Sequence, residues 1–198
     1  KNGNIPTATA SGSVAPTGEY GSAGGFVELN DDGTITNATA SGSVTGSEAA
    51  GGFVALNDDG TITNATASGS VSGGDEVGGL AGSNSGTITD ASASGTVTHD
   101  GEFGNVGGLV GFNGNTIQDT FAVGSVTGES NVGGLAGGNS GTIEQSYFDE
   151  QATGQTTSAG SAIGLTTAEM QGQAAESNMS GFDFDNTWTT TSEYPALR

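Results

Sequence analysis

The chain has no cysteine, and only two of its 198 residues are basic. Without cysteine there is no disulfide and no thiolate metal site. The two bases, Lys1 and Arg198, stand at opposite ends and face twenty-two acids, for a net charge of -20. Ion pairing cannot neutralise such a surface, and at low ionic strength its carboxylates repel one another. In roughly molar salt the Debye length falls to about 3 Å and that repulsion is screened. The balance therefore predicts a halophilic protein, and it excludes nucleic acid and anionic membranes as partners. No apolar run is long enough for a spanning helix, so no direct membrane insertion is expected. Large aliphatics are scarce too: Leu, Ile, Val and Phe make up about 17% of the residues, a share that ordinarily leaves a charged chain disordered.

What the chain has instead is glycine, 38 residues of it, set in a repeat. The clearest unit runs from Gly51 to Gly73, GGFVALNDDGTITNATASGSVSG. A near copy starts at Gly24, and looser copies start at Gly78, Gly107 and Gly133. The anchor isoleucines are Ile35, Ile62, Ile88, Ile117 and Ile143, with Ile5 opening the chain in mid-unit. In the first five of these six units a valine follows nine residues later, at Val14, Val44, Val71, Val97 and Val126. Insertions fall mostly between that valine and the next glycine pair. Fixed rungs with variable connections are the signature of stacked coils, which share a thin core between neighbours.

Within a unit, Thr-Ile-Thr alternates as a half-buried strand should. Parity changes at Asn37-Ala38, after which Ala40, Gly42 and Val44 share one face. The pairs Phe26-Val27, Phe53-Val54, Leu80-Ala81, Leu109-Val110 and Leu135-Ala136 form a third segment. Two adjacent apolar residues cannot both point inward on a simple strand. Three short strands per unit, with glycines supplying the corner conformations, predict an all-β, right-handed parallel β-helix (β-solenoid) of about six rungs. Isoleucines and valines would stack in two interior ladders about 4.8 Å per step. A β-propeller blade would need about 40 residues.

Residues 1–23 read as half a repeat with a turn at Pro16-Thr17-Gly18. An uncovered first rung is an aggregation hazard, so either more repeats before Lys1 or a covering partner is expected. The repeats are assigned to 1–148 and a C-terminal capping segment to 149–198. In that segment Thr166 and Glu169 fit a capping box that opens a short helix. Its Phe182, Phe184, Trp188 and Tyr194, with Tyr147 and Phe148, predict a cap closing the last rung.

The units GGLAGSNSGTITDASASGTV (78–97), GGLVGFNGNTIQDTFAVGSV (107–126) and GGLAGGNSGTIEQSYF (133–148) resemble the GLUG repeat. The tail, with SYFDEQATGQTTSAG, GLTTAEMQ and FDFDNTW, looks like the segment that follows such repeats. Units one and two depart from the pattern at FVELNDDG (26–33) and FVALNDDG (53–60). The resemblance implies a surface-exposed right-handed β-helix and no particular reaction. Such repeats occur in adhesin-like secreted or cell-surface proteins of bacteria and salt-loving archaea, and in accessory segments of immunoglobulin A peptidases.

Candidate sites are few. His99, in Val97-Thr-His-Asp-Gly, is the one histidine, and a lone loop histidine reads as solvated. Asp183 and Asp185 have the composition of a glycosidase pair. The glycines at 107–111 read as structural corners, since no lysine accompanies them to meet a phosphate. Asp31, Asp32, Asp58 and Asp59 sit in two turns in register and could hold calcium, a hard ion that takes oxygen ligands. Asn37, Asn64 and Asn178 fit the glycosylation sequon. Thr34, Thr61 and Thr87, with Thr36, Thr63 and Thr89, predict threonine ranks of the kind that bind ice, broken at Gln118 and Glu144. The sequence thus predicts a non-enzymatic extracellular structural or adhesive module of a surface protein. Its partners would be copies of itself, as an extracellular filament, or another surface protein or glycan. Its binding elements would be a sheet face or the segments 15–23, 45–50, 72–77, 98–106 and 127–132. The alternative is an accessory repeat segment of a larger secreted hydrolase, a peptidase or glycosidase.

Overall fold

The computed structural model describes residues 3–16 and 21–198. Lys1 and most of the Pro16-Thr17-Gly18 turn lie outside the described residues. The chain is a parallel β-solenoid. Sheets of five strands run along two of its sides, giving five rungs there, close to the expected six. The predicted isoleucine ladder is present in register from Ile5 through Ile35, Ile62, Ile88 and Ile117 to Ile143. The valine ladder runs from Val14 through Val44, Val71 and Val97 to Val126.

Each rung has four sides rather than three. The long sheet carries Thr34–Ala40, Thr61–Ala67, Thr87–Ala93 and Thr116–Ala122. What the sequence divides at Asn37 is one continuous strand. The residue at the break takes a left-handed φ, 51° at Asn37, 55° at Asn64, 49° at Asp90 and 54° at Asp119. Asn and Asp tolerate that region better than other non-glycine residues. One such residue rotates the strand so that Ile35 and Ala38, three positions apart, both point inward and are buried.

The second side holds the valines, beginning with Val44–Gly46. The third ends on the glycine pair, as in Ala49–Gly51. The fourth runs as Val54–Asp58 and its equivalents. Both members of the pairs Phe53-Val54, Leu80-Ala81, Leu109-Val110 and Leu135-Ala136 are buried. They straddle the bend between the third and fourth sides, so strand alternation does not apply to them. Phe26 and Phe53 stack face to face at 4.8 Å, tracing the rung spacing.

The glycine pair serves space rather than conformation, contrary to the sequence reading. Neither Gly51 nor Gly52 has a left-handed φ. A Cβ on Gly52 would overlap the carbonyl oxygen of Gly79 one rung away. Backbones at this corner approach too closely for any side chain.

At the corner between the fourth side and the long sheet lies a feature that the sequence reading missed. Asn30, Asn57, Asn84, Asn113 and Asn139 stack in register. The Nδ2 of each of the first four donates to the Oδ1 of the next at 2.8 Å, and all five donate to a backbone carbonyl of their own corner, Gly33, Gly60, Gly86, Asn115 or Gly141. Asn84 and Asn113 are fully buried, and these bonds offset the cost of burying an amide.

After Tyr147–Asp149 the chain forms α1 (Glu150–Thr153), capped by Asp149 Oδ1 accepting from the backbone amides of Gln151 and Ala152. It then returns over the last rung. Gly134 N–H donates to Thr157 O, Ala159 N–H donates to Ala136 O, and Ile163–Leu165 pairs in parallel with Tyr147–Asp149. The predicted capping box is present, with Thr166 N–H donating to Glu169 at 2.8 Å and opening α2 (Thr167–Met170). A further helix, α3 (Gly172–Asn178), follows.

The aromatic tail does not close the end, as the sequence reading placed it. It runs along the side of the coil. Phe182 and Trp188 pack with Met170, Ala175 and Met179 against Phe121 and Tyr147 on the outer face of the long sheet. Trp188 Nε1 donates to Asp90 Oδ1 at 3.3 Å, two rungs back from Tyr147. Phe121 and Tyr147 pair in register and continue the outward column of Thr39, Thr66 and Ser92. That column changes from hydroxyls to aromatics where the tail covers it.

Candidate functional site

The tail and the long sheet border a groove of about 550 Å³. One wall is the outward face of the long strands: Asn37, Asn64, Thr39, Thr66, Ser92 and Ser94. Phe121 and Val123 line the part nearest the docked aromatics. The other wall is the final segment, Glu193 to Arg198, whose Ala196–Leu197 pairs antiparallel with Trp188–Thr189.

The tail wall is fixed by two anchors. Tyr194 OH donates to Asp149 Oδ2 at 2.8 Å. Burial first, and this acceptor second, push the Tyr194 hydroxyl up to about 12. Arg198 donates through Nε to Trp188 O at 2.9 Å and through a terminal guanidinium nitrogen to Phe184 O at 2.8 Å. The Tyr194 hydroxyl is therefore spent on structure, while its ring, stacked on Phe121 at 6.4 Å, lines the groove.

Beside the groove the left-handed corners form their own column. Asn64 Nδ2 donates to Asn37 Oδ1 at 2.9 Å. The next two members are Asp90 and Asp119, carboxylates with no amide to donate. Burial chiefly raises both above the ordinary carboxylate range. The Trp188 indole pulls Asp90 back, while Asp183 raises it. Gln118 pulls Asp119 back, while Asp90 and Glu144 raise it. Asp119 Oδ1 is buried without a hydrogen-bond partner.

The remaining sequence candidates fall elsewhere. His99 ends the strand Val97–His99 and is 5% exposed, so it is packed rather than solvated. Gly101 and Gly104 lie against its imidazole, and its Nδ1 has no partner among the described residues. Asp183 is exposed, and its Oδ1 accepts from the backbone amides of Asp185 and Asn186. Bonds from Asn186 hold its carboxyl below the usual range, whereas a general acid needs the opposite shift.

Asp31 and Asp58 are register partners, Asp32 and Asp59 are left-handed, and all four are exposed. Among the described residues no three acidic or histidine side chains converge as metal ligands. Of the sequon asparagines, Asn37 is exposed at a left-handed corner, Asn64 is half-buried, and Asn178 ends α3 with its amide donating to Ala174 O at 2.9 Å. The threonine rank of Thr36, Thr63 and Thr89 gives way to Gln118 and Glu144 as expected, while the rank of Thr34, Thr61 and Thr87 continues in register through Thr116 and Thr142.

The geometry defines a β-solenoid with a side-docked tail. Within it, residues 46–72 and 73–98 match the GLUG motif, so the match includes the second unit, which departs from the pattern at 53–60. Across the chain, the fold is similar to the crystal structure of a "putative immunoglobulin A1 protease" from Bacteroides ovatus. The TM-score is 0.61 and the identity 19%, with 98% of this chain and 75% of that one covered. At that identity the likeness speaks to the fold. No curated protein matches the chain.

Proposed function

We propose that the chain is a non-enzymatic structural or adhesive module of an extracellular surface protein, working in brine. The observation that carries this reading is the commitment of its chemistry to architecture. Asp183 is spent on a turn, Tyr194 and Arg198 on the tail, and His99 on a glycine-packed strand end. What faces outward is a stiff, acidic coil with regular polar columns. In the test, beads coated with the protein are exposed in molar salt to cell-envelope preparations from a halophile, and the free protein is viewed by electron microscopy. Separate short rods on adherent beads are expected. Fibres would favour the polymerising version of the module, in which the first rung receives a strand from a neighbour. Beads that never adhere, carrying protein that never assembles, would overturn the reading.

The second reading, an accessory segment of a secreted hydrolase, draws on the name of the Bacteroides ovatus protein. It predicts a catalytic domain elsewhere in the same gene product, which reading the whole gene decides.

A further inference from the structure

The groove selects against most ligand classes, and the class it favours follows from which polar groups are spoken for. Its volume of about 550 Å³ lies inside the usual span for small-ligand clefts, about 300–1,000 Å³. The sheet wall offers uncharged donors and acceptors in a regular column. Thr39, Thr66 and Ser92 recur at the rung spacing of about 4.8 Å, beside the bonded amides of Asn37 and Asn64. A hydroxyl both donates and accepts, so such a column meets a ligand bearing hydroxyls of either sense. The tail wall offers apolar surface from Tyr194, Ala196 and Leu197.

Anions are disfavoured here. The guanidinium of Arg198 gives two of its five donors to the carbonyls of Trp188 and Phe184, so only its remaining edge is open to a carboxylate or phosphate. At close range, where salt screens least, Glu193 on the tail wall repels them. A purely apolar ligand would strip water from the hydroxyl column without replacing its hydrogen bonds. A ligand with many neutral hydroxyls on one side and C–H faces on the other satisfies both walls.

We propose that the groove between the long sheet and the tail binds a neutral oligosaccharide, with Thr39, Thr66 and Ser92 reading its hydroxyls and the Tyr194 ring packing on a sugar face. This deepens the surface-module reading and rests on it.

The test uses isotope-labelled full chain, made in a host that does not glycosylate asparagine and kept in molar salt. It is titrated with cello-, chito- and mannohexaose, and with an oligogalacturonate as the acidic control. The expected result is a saturable amide shift at Thr39, Thr66, Ser92 and Leu197 with at least one neutral sugar and none with the acidic one. Thr66→Val keeps the strand preference and is expected to weaken binding about tenfold, the effect of one lost hydrogen bond. Thr39→Glu, at an exposed position that the fold tolerates, is expected to abolish it. Three outcomes would overturn the proposal: no saturable shift with any neutral sugar, equal binding of the oligogalacturonate, or full affinity in both variants. Shifts confined to residues 98–106 would also overturn it, while adherent beads in the earlier experiment would leave the surface-module reading standing.

Discussion

At the residue scale, the asparagine column and the carboxylates beside it set opposite demands. Asn84 donates to Asn113 and accepts from Asn57 inside a fully buried corner. Asn84→Ala leaves a donor and an acceptor unpaired on adjacent rungs. It is expected to cost about 2–4 kcal/mol in chemical denaturation, since each buried orphan costs about 1–3 kcal/mol. Asp90 and Asp119 work the other way. Burial raises both carboxyls in the folded protein, so the folded state binds protons more readily than the unfolded chain. Stability contributed by these groups is therefore gained as pH falls from neutral through the raised values, and it levels off below the ordinary carboxylate range near about 4. Asp119→Asn supplies the missing donor and removes one titration. At neutral pH it is expected to stabilise by about 1 kcal/mol. Urea denaturation across the acid range should show the variant's advantage shrinking as the wild type is protonated.

At the element scale, the tail is a strap whose hold concentrates in one side chain. Trp188 is fully buried, stacks on Phe182 at 4.7 Å and reaches Asp90. Trp188→Ala is expected to cost about 3–5 kcal/mol of docking energy, the usual range for a buried aromatic. Limited proteolysis should then remove residues 181–198 while the β-sheet circular dichroism of the coil persists. This strap also marks where sequence reasoning stopped. The isoleucine and valine ladders were legible because identical aliphatics at fixed phase have one low-energy arrangement, stacking on their own copies. The buried asparagine column was not, because Asn beside Gly reads equally well as an exposed turn. The groove was hidden for a similar reason: nothing local says which side of a coil a tail will lie on. Phe121 and Tyr147, aromatics in a column of Thr and Ser, were the available signal, and they mark the docking surface.

At the scale of the whole molecule, a chain of this charge holds together with very few large aliphatics because every rung lends its apolar surface to two neighbours. The balance that opposes it is electrostatic and should respond to salt. In 10 mM salt the self-repulsion of the coil acts over about 30 Å, and partial loss of the β-sheet signal is expected. Raising the salt to roughly molar should restore it. Folding that is indifferent to this titration would remove the brine adaptation from the proposed function and leave the fold untouched.

The asparagine amides all point the same way, from Asn30 toward Asn139. Their dipoles add rather than cancel, so the coil has an electrical arrow along its axis. Its first rung carries the oxygen end of that arrow, while the nitrogen end, at Asn139, lies under the returning segment near Gly160. A further rung can lengthen the line only at the Asn30 end, and only by donating an amide to it, so the line can grow in one direction alone.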